Sequence, residues 1–399
     1  MQLTSYDPSK FPKARAPTLP TPSPECFCLL PQPILAGVLT LENTLHLHSG
    51  RYALALALKQ AKISSDDGVL LPAYHCLAMV EPLRLAGVRP VYYPINSDLS
   101  IDIIEIEKRS SGVKAIVAVH YFGFPQDFRL LRNLADRLGL ILIEDCAHAC
   151  FGAINGAPLG SLGDYAIAST MKFFPIGHGG VLASTRHRLV QPALKNPPLK
   201  IELKTVINLL ENAHAYHRLG RLGRLLNILI QMKDNLLRKK RRSQPLTPSR
   251  NEATPEYVMD SRWLGWRSSR VSRFLLRHAR TDDLIKRRRD VYRMFLGALA
   301  HRRDCRPLFP DLPEDVVPQV FPLYVNQCLP VFVNLKRQGV PIIRFGEFLD
   351  DPVDQELCPV SIDYAEHVLQ FPCHQCLKDD EVAWVIERLI IALDTAESC

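Results

Sequence analysis

No run of the chain approaches the ~18 consecutive apolar residues that a membrane-spanning helix requires. The first 25 residues are rich in Pro, Ser and Thr and hold no apolar core ahead of a cleavage-like site, so a secretory leader is not expected. The eleven cysteines follow no repeating spacing, and an odd count cannot pair completely. No internal repeat is present. What is there is ordinary for a globular protein: 399 residues, 47% hydrophobic and 23% charged. That length allows two or three domains and a core that needs neither disulfide nor metal. A reducing, cytoplasmic setting is the expectation.

Charge of one sign is also scarce, apart from one place. Of 49 basic and 41 acidic residues, nine and one fall between positions 217 and 242, so the rest balances at 40 of each. Nucleic-acid binding by the whole surface is therefore excluded. The basic stretch HRLGRLGRLLNILIQMKDNLLRKKRR repeats Leu219, Leu222, Leu226, Leu229 and Leu236 at helical steps, flanked by Arg218, Arg221 and Arg224. Two readings stand: an insert packing its leucines on the core, or a peripheral contact with an anionic membrane on its inner face.

The first 25 residues read as an extended arm, mobile or draped, because repeated Pro suits neither helix nor ladder. A helix is expected over 51–63. Apolar runs at 69–73, 89–93, 114–120, 140–145, 165–169 and 180–184 read as strands, with helices at 77–86, 102–108 and 127–138 between them. Continuous Val/Ile/Leu strands alternating with helices indicate an α/β fold with a mostly parallel sheet. Strand character is lost from 185 to about 258. One long helical pattern then starts at Arg270, and the tail mixes short strands with a helix at 378–393. The expected division is an arm (1–25), a large domain (26–275, with an insert at about 187–257), and an interdomain helix with a small α+β domain (276–399).

Two strand ends carry chemistry-bearing residues, where open α/β sheets place their sites. In LILIEDCAHA, Asp145 and His148 follow a buried run. A buried carboxylate calls for a cationic partner, but Asp145 is equally suited to capping a following helix. In AIASTMKFFPIGHGG, Lys172 lies between a strand and a Gly-rich turn, where a lone lysine is usually solvated. Cys373-His374-Gln375-Cys376 has C-x-x-C spacing without a second pair at a zinc-like distance, and reads as packing, as does His46-x-His48.

The order Gly50-Arg51-x-Ala-Leu, VLLPAYHC, AIVAVHYFGFPQD, IEDCAHA with GAPLGSLGDYAIAS, and Lys172-x4-Gly-x-Gly-Gly resembles the DegT–DnrJ–StrS family of pyridoxal-phosphate (PLP)-dependent sugar aminotransferases. GWRSSRVSRFLL and LQFPCHQCLKDDEVAWVIERLI resemble later family segments. The resemblance implies the fold-type-I architecture: a seven-stranded large domain, a small C-terminal domain and a homodimer with sites at the subunit interface. Lys172 would hold PLP covalently, and Asp145 would pair with its ring nitrogen. His148, where the family usually has Gln, would contact the ring oxygen. Ser169, with the backbone of Gly50, Arg51 and Tyr52, would hold the phosphate, and Ser268 would reach the partner's phosphate in place of the usual Asn.

Departures accompany the likeness. The fourth residue after Pro72 is Cys76 instead of an aromatic, leaving His75 or Tyr74 to stack on the ring, and His178 replaces an acidic residue toward substrate. The implied activity is amino transfer from an amino acid, by family habit glutamate, to a keto-sugar, nucleotide-linked, for surface polysaccharide or glycoconjugate synthesis. Two rivals stay open. In a PLP-dependent dehydratase of the family His replaces the lysine, which Lys172 opposes. A non-catalytic binding protein is kept alive by Ser268, His178 and Cys76.

Overall fold

The computed structural model describes residue 6 and residues 11–190, 194–220, 223 and 259–397. The apolar runs form strands β1 (Asn43–Leu47), β2 (Gly68–Pro72), β3 (Arg89–Tyr93), β4 (Val113–Val119) and β5 (Ile141–Asp145), a small hairpin β6 (Ala153–Ile154) and β7 (Ala157–Pro158), then β8 (Tyr165–Ala168) and β9 (Gly180–Ser184). Seven of these make one sheet in the order β1-β9-β8-β5-β4-β2-β3. The pairs β2/β3, β2/β4, β4/β5 and β5/β8 are parallel, whereas β9 runs antiparallel to both β8 and β1. The fold is α/β with a mostly parallel mixed sheet.

Helices α1 (Gly50–Gln60), α2 (Leu77–Ala86), α3 (Ile103–Arg109) and α4 (Arg129–Leu138) connect the strands. Local chemistry fixes their ends. Asp102 caps α3 by accepting from the Ile104 and Glu105 N–H groups. Helix α4 buries Leu131, Leu134 and Ala135 on the sheet and stops at Gly139, whose φ of 68° only glycine adopts without cost. The strands β2 and β8 are buried throughout, which is why they read as uninterrupted apolar runs.

Within the expected insert, α5 (Leu199–Ala215) is helical. The basic stretch after it lies outside the described residues except for 217–220 and 223. Among these, Arg218 does not flank an exposed stripe: its side chain is 4% exposed and meets Glu381 at 2.6 Å. No helix among the described residues is long and apolar enough to cross a membrane.

The helical pattern from Arg270 is two helices, α6 (Arg270–Arg277) and α7 (Thr281–Leu299), rather than one. They separate because the backbone between them pairs with the arm: the Cys28 N–H donates to His278 O (2.7 Å) and the Arg280 N–H to Cys26 O (3.0 Å). The arm is draped: Ala16 and Thr21 are buried, and the Arg15 N–H donates to Gly339 O. A second, antiparallel sheet follows in the order β10-β11-β13-β12, from β10 (Cys305–Pro307), β11 (Val320–Val325), β12 (Ile343–Arg344) and β13 (Val368–Pro372). It packs with α8 (Cys328–Arg337), α9 (Pro359–His367) and α10 (Asp379–Glu397) into the small α+β lobe.

Candidate active site

Asp145 is the last residue of β5 and is buried. Its Oδ1 accepts the Ala147 N–H at 2.8 Å, so the carboxylate caps a turn and not a helix. No bond from the described residues reaches its Oδ2. Burial raises its pKa, opposed by that N–H and by the charge of Lys172.

Lys172 closes the 3-10 turn Thr170–Lys172 after β8. Desolvation lowers its ammonium pKa, while Cys76, Asp145 and Cys150 raise it and Arg51 lowers it further. Those are the groups around it. Cys76 follows β2 and precedes α2, so Lys172, Asp145 and Cys76 converge from the carboxyl ends of three strands, the open end of such sheets.

His148 is buried beneath them. The Phe122 N–H donates to its Nδ1 at 3.4 Å, which leaves the ring proton on Nε2 as a donor. Burial and the Lys172 charge push its pKa well below the usual value, so the ring is neutral. Phe122 lies parallel to His148 at 5.8 Å and holds a left-handed backbone (φ 58°). Such a conformation costs roughly 1–3 kcal/mol in a non-glycine residue and concentrates at functional sites. This HYFGF bend is one signal that sequence reasoning passed over.

The peptide of Lys172 is fixed from behind by a buried guanidinium. Arg288 of α7 donates to Lys172 O (2.9 Å), Pro318 O (3.1 Å) and Gln319 O (2.9 Å), and its Nε to Gln375 Oε1 (3.2 Å). Gln375 in turn donates to Phe173 O at 2.8 Å. Neither residue stands out in the sequence, because a lysine-rich or arginine-rich helix is ordinarily read as a solvated face.

Beside Lys172 the N-terminus of α1 forms a cup. A Cβ on Gly50 would lie 3.4 Å from Ala168 O and Ser169 Cβ, which puts Gly50 against Ser169. The Ser49 Oγ is buried without a hydrogen-bond partner and does not cap its own helix. The Gly-x-Gly-Gly turn is explained here: a Cβ on Gly179 would lie 2.0 Å from Thr170 Oγ1, and one on Gly180 2.1 Å from the Ser49 carbonyl. Only glycine lets that turn close on the cup. Ser49 was missed because the helix appeared to start with Gly50.

Other expected residues stand elsewhere. His75 does not face the site: its Nδ1 lies 3.0 Å from Ala73 O, its Nε2 accepts the Asp350 N–H at 3.2 Å, and its ring stacks on Tyr92. Tyr74 is buried among Tyr121, Phe345 and Tyr364, so neither can stack on a ring beside Lys172. The bend that follows β2 decides this, and Cys76 is the residue it sets beside Lys172 and Asp145. Tyr52 is no anion donor, because its N–H is bound by Ser49 O (3.2 Å) and its hydroxyl donates to Asp260 O (3.0 Å). Ser268 is buried, its N–H 3.3 Å from His46 O. His178 sits 4.2 Å from the ring of His48, which stacks on Trp263 at 3.9 Å.

Residues 35–196 match the DegT/DnrJ/EryC1/StrS aminotransferase family. GDP-perosamine synthase of Vibrio cholerae is 32% identical over 167 residues, 40% of this chain and 45% of that protein. A UDP-N-acetyl-3-dehydro-alpha-D-glucosamine 3-aminotransferase of Acidithiobacillus ferrooxidans is 34% identical over 158 residues, 38% and 42% of the two chains. The chain thus matches less than half the length of these curated relatives. The likeness in fold extends further: a putative sugar aminotransferase from Streptococcus pneumoniae in its PLP form superposes with a TM-score of 0.62 at 18% identity, covering 90% of this chain and 89% of that one.

The cofactor that this similarity implies is PLP, and the donor set fits it. The orphaned Ser49 Oγ suits a phosphate oxygen, the open Asp145 oxygen suits a ring N–H, and Lys172, close enough to feel the charges of Asp145 and Arg51, has its pKa lowered by burial. A metal reading does not fit as well. His120, Glu144 and Cys146 lie within ligand distance of one another, but the polar atoms of the first two are already engaged. The Gln126 N–H donates to His120 Nδ1 (3.0 Å), so Nε2 carries the proton and donates to Glu144 (3.2 Å). The Gly160 and Gly163 N–H groups fill the rest of the Glu144 carboxylate.

Proposed function

We propose that this chain is a PLP-dependent aminotransferase that moves an amino group from an amino acid, glutamate by family habit, to a nucleotide-linked keto-sugar feeding surface-polysaccharide or glycoconjugate synthesis. The observation that carries the reading is the convergence of Lys172 with an Asp145 whose second oxygen is open. When bound, PLP supplies the electron sink for the carbanion left by loss of the substrate's α-proton.

The rest is work for the chain's own residues. Lys172 holds the cofactor and, once released, carries a proton between the substrate carbon and the cofactor carbon. A desolvated lysine is a better base at neutral pH than a solvated one, and its lowered pKa suits that step. Asp145 keeps a proton on the ring nitrogen, and the cation opposite it offsets the cost of its burial. His148, neutral and protonated on Nε2, offers a hydrogen bond to the ring oxygen. Ser49, Ser169 and the start of α1 hold the phosphate, and His178, beside His48 and Trp263, is the residue assigned to the substrate in this reading. Arg288 and Gln375 keep the Lys172 peptide in place. The homodimer and a cytoplasmic setting belong to the same reading.

The test is borohydride reduction of the PLP-loaded protein followed by peptide mapping. The label is expected on the peptide containing Lys172, with a glutamate-driven half-reaction that Lys172→Ala abolishes. A label on another lysine overturns the assignment. PLP binding with no amino-donor half-reaction from any amino acid favours the non-catalytic rival.

A further inference from the structure

The C-x-x-C run and the arm's cysteines take no part in the proposed reaction. The two cysteines of that run do not face each other's chemistry. Cys373 is buried with its Sγ 3.5 Å from Pro318 O, and burial pushes its thiol up to about 12. Cys376 meets a different thiol: its Sγ lies 3.5 Å from that of Cys26, 350 positions away in sequence.

Cys26 ends the 3-10 turn Pro24–Cys26 of the arm, where its Sγ is also 3.3 Å from Ser23 Oγ. The two thiols line a cavity of about 600 Å³ shared by the arm, α7 and the start of α10, with Arg218, Arg280 and Arg287 in its wall. Each of these is ion-paired, to Glu381, Asp283 and Asp379 respectively, so the cavity is polar and open to small solutes rather than a bare cationic site. The Cys376 thiol, above all, and then Ser23, hold the Cys26 thiol down to about 6, against burial and Glu25. The same contact and burial push Cys376 well up. Either sulfur can donate in their contact; Cys26, which also has the Ser23 hydroxyl at 3.3 Å, is the better placed to carry the negative charge. That is the division of labour between an attacking and a resolving thiol.

We propose that Cys26 and Cys376 form a redox-closable pair, Cys26 attacking and Cys376 resolving, that exchanges with small disulfides entering this cavity. The Cys26 thiolate attacks one sulfur of the small disulfide, whose S–S bond breaks and releases one thiolate. That thiolate takes the proton of Cys376, which attacks the Cys26 sulfur and displaces the second. One protein thiolate and one protein thiol become a disulfide, and the small disulfide becomes one thiol and one thiolate. Closure ties the arm to the small lobe one residue from Gln375, whose amide holds Phe173 O. The thiol chemistry stands without the proposed function; only its effect on Lys172 rests on that reading.

The test uses the full chain with oxidised glutathione as probe. Non-reducing peptide mapping should show a Cys26–Cys376 cross-link with Cys373 still free. Cys376→Ser, or Cys376→Ala should the first not fold, should stop at a glutathione adduct on Cys26, and Cys26→Ser should yield neither product. Iodoacetamide should label Cys26 with a half-maximum near pH 6. A map without the cross-link, or labelling of Cys26 that rises only near pH 9, overturns the proposal. These readouts need no cofactor, so they fail independently of the borohydride experiment. In the PLP-loaded protein, closure should shift the pH dependence of the visible absorbance; an unchanged profile removes the link to Lys172 alone.

Discussion

Glu144 and Asp145 are consecutive residues of β5, both buried, and the pleat sends them to opposite faces of the sheet. On the Glu144 face, His120, Gly160 and Gly163 satisfy the carboxylate, and Gln126 fixes the imidazole. On the Asp145 face, one oxygen has its N–H and the other has none, with Lys172 and a neutral His148 nearby. Both clusters place titratable groups in the core. The difference between them is hydrogen-bonding capacity left open: a satisfied network holds structure, and an unsatisfied one awaits a ligand.

The largest expected effects set the two carboxylates against each other. Asp145→Asn should lower turnover in the amino-donor half-reaction by about 10²–10⁴-fold, the range for a lost proton-handling group. The same change should stabilise the cofactor-free protein at neutral pH. Burial raises the Asp145 pKa above its unfolded value, so the native state holds the proton more tightly, and stability is lost as pH rises through the two values. Asn removes that loss. Glu144→Gln should do the opposite, costing about 1–3 kcal/mol through donors left without an acceptor while turnover per folded molecule stays within about twofold. Urea denaturation and single-turnover kinetics on both variants measure this. If each variant behaves as predicted for the other, the comparison is broken.

His148→Phe sharpens the comparison on one face. It retains a ring beside Phe122 but removes the Nε2 donor, so the cofactor's absorbance should shift and turnover fall by about tenfold, near the free energy of one hydrogen bond. An unshifted spectrum would make His148 a packing residue.

A smaller effect concerns pH. His374, whose Nε2 donates to Pro17 O at 2.9 Å, is held neutral by burial with a pKa of about 3. Its folded value lies below the unfolded ~6.5. The unfolded chain therefore takes the proton first, and stability is lost as pH falls from about 6.5 toward 3. Melting temperatures of the apoprotein should decline over that window, and His374→Gln, which retains a donor for Pro17, should flatten the decline. The smallest expected effect is none. Stoichiometric zinc or a chelator should leave melting temperature and half-reaction rate unchanged, because His120 Nε2 already donates to Glu144 and offers no lone pair.

Much of this protein was legible in its sequence, for reasons that are local. Buried parallel strands must be continuous apolar runs, so the strands from β2 to β9 in the main sheet could be read nearly to the residue. Asp145, His148 and Lys172 are conspicuous at the ends of such runs, but a capping carboxylate or a solvated lysine is an ordinary reading of each alone, and only the order of the motifs joined them into a site. The Gly-x-Gly-Gly turn was visible as a motif, although its reason, the approach of Gly179 and Gly180 to Thr170 and Ser49, was not.

What the tertiary structure decided are the matters that depend on direction and on distant partners. Sequence spacing alone could not say that His75 leaves β2 toward Tyr92 and Asp350 while Cys76 turns to Lys172, because a non-helical residue's direction depends on the turn that follows the strand. Nor could it make one basic residue differ from the next: Arg288 holds the Lys172 peptide from inside the protein, and Arg218 is buried against Glu381. The division of the Arg270 pattern into two helices is likewise the work of the arm, whose backbone takes the hydrogen bonds at His278 and Arg280. Cys376 finds its partner 350 positions away. Periodicity reports which face of an element is apolar, and only packing determines what lies against that face.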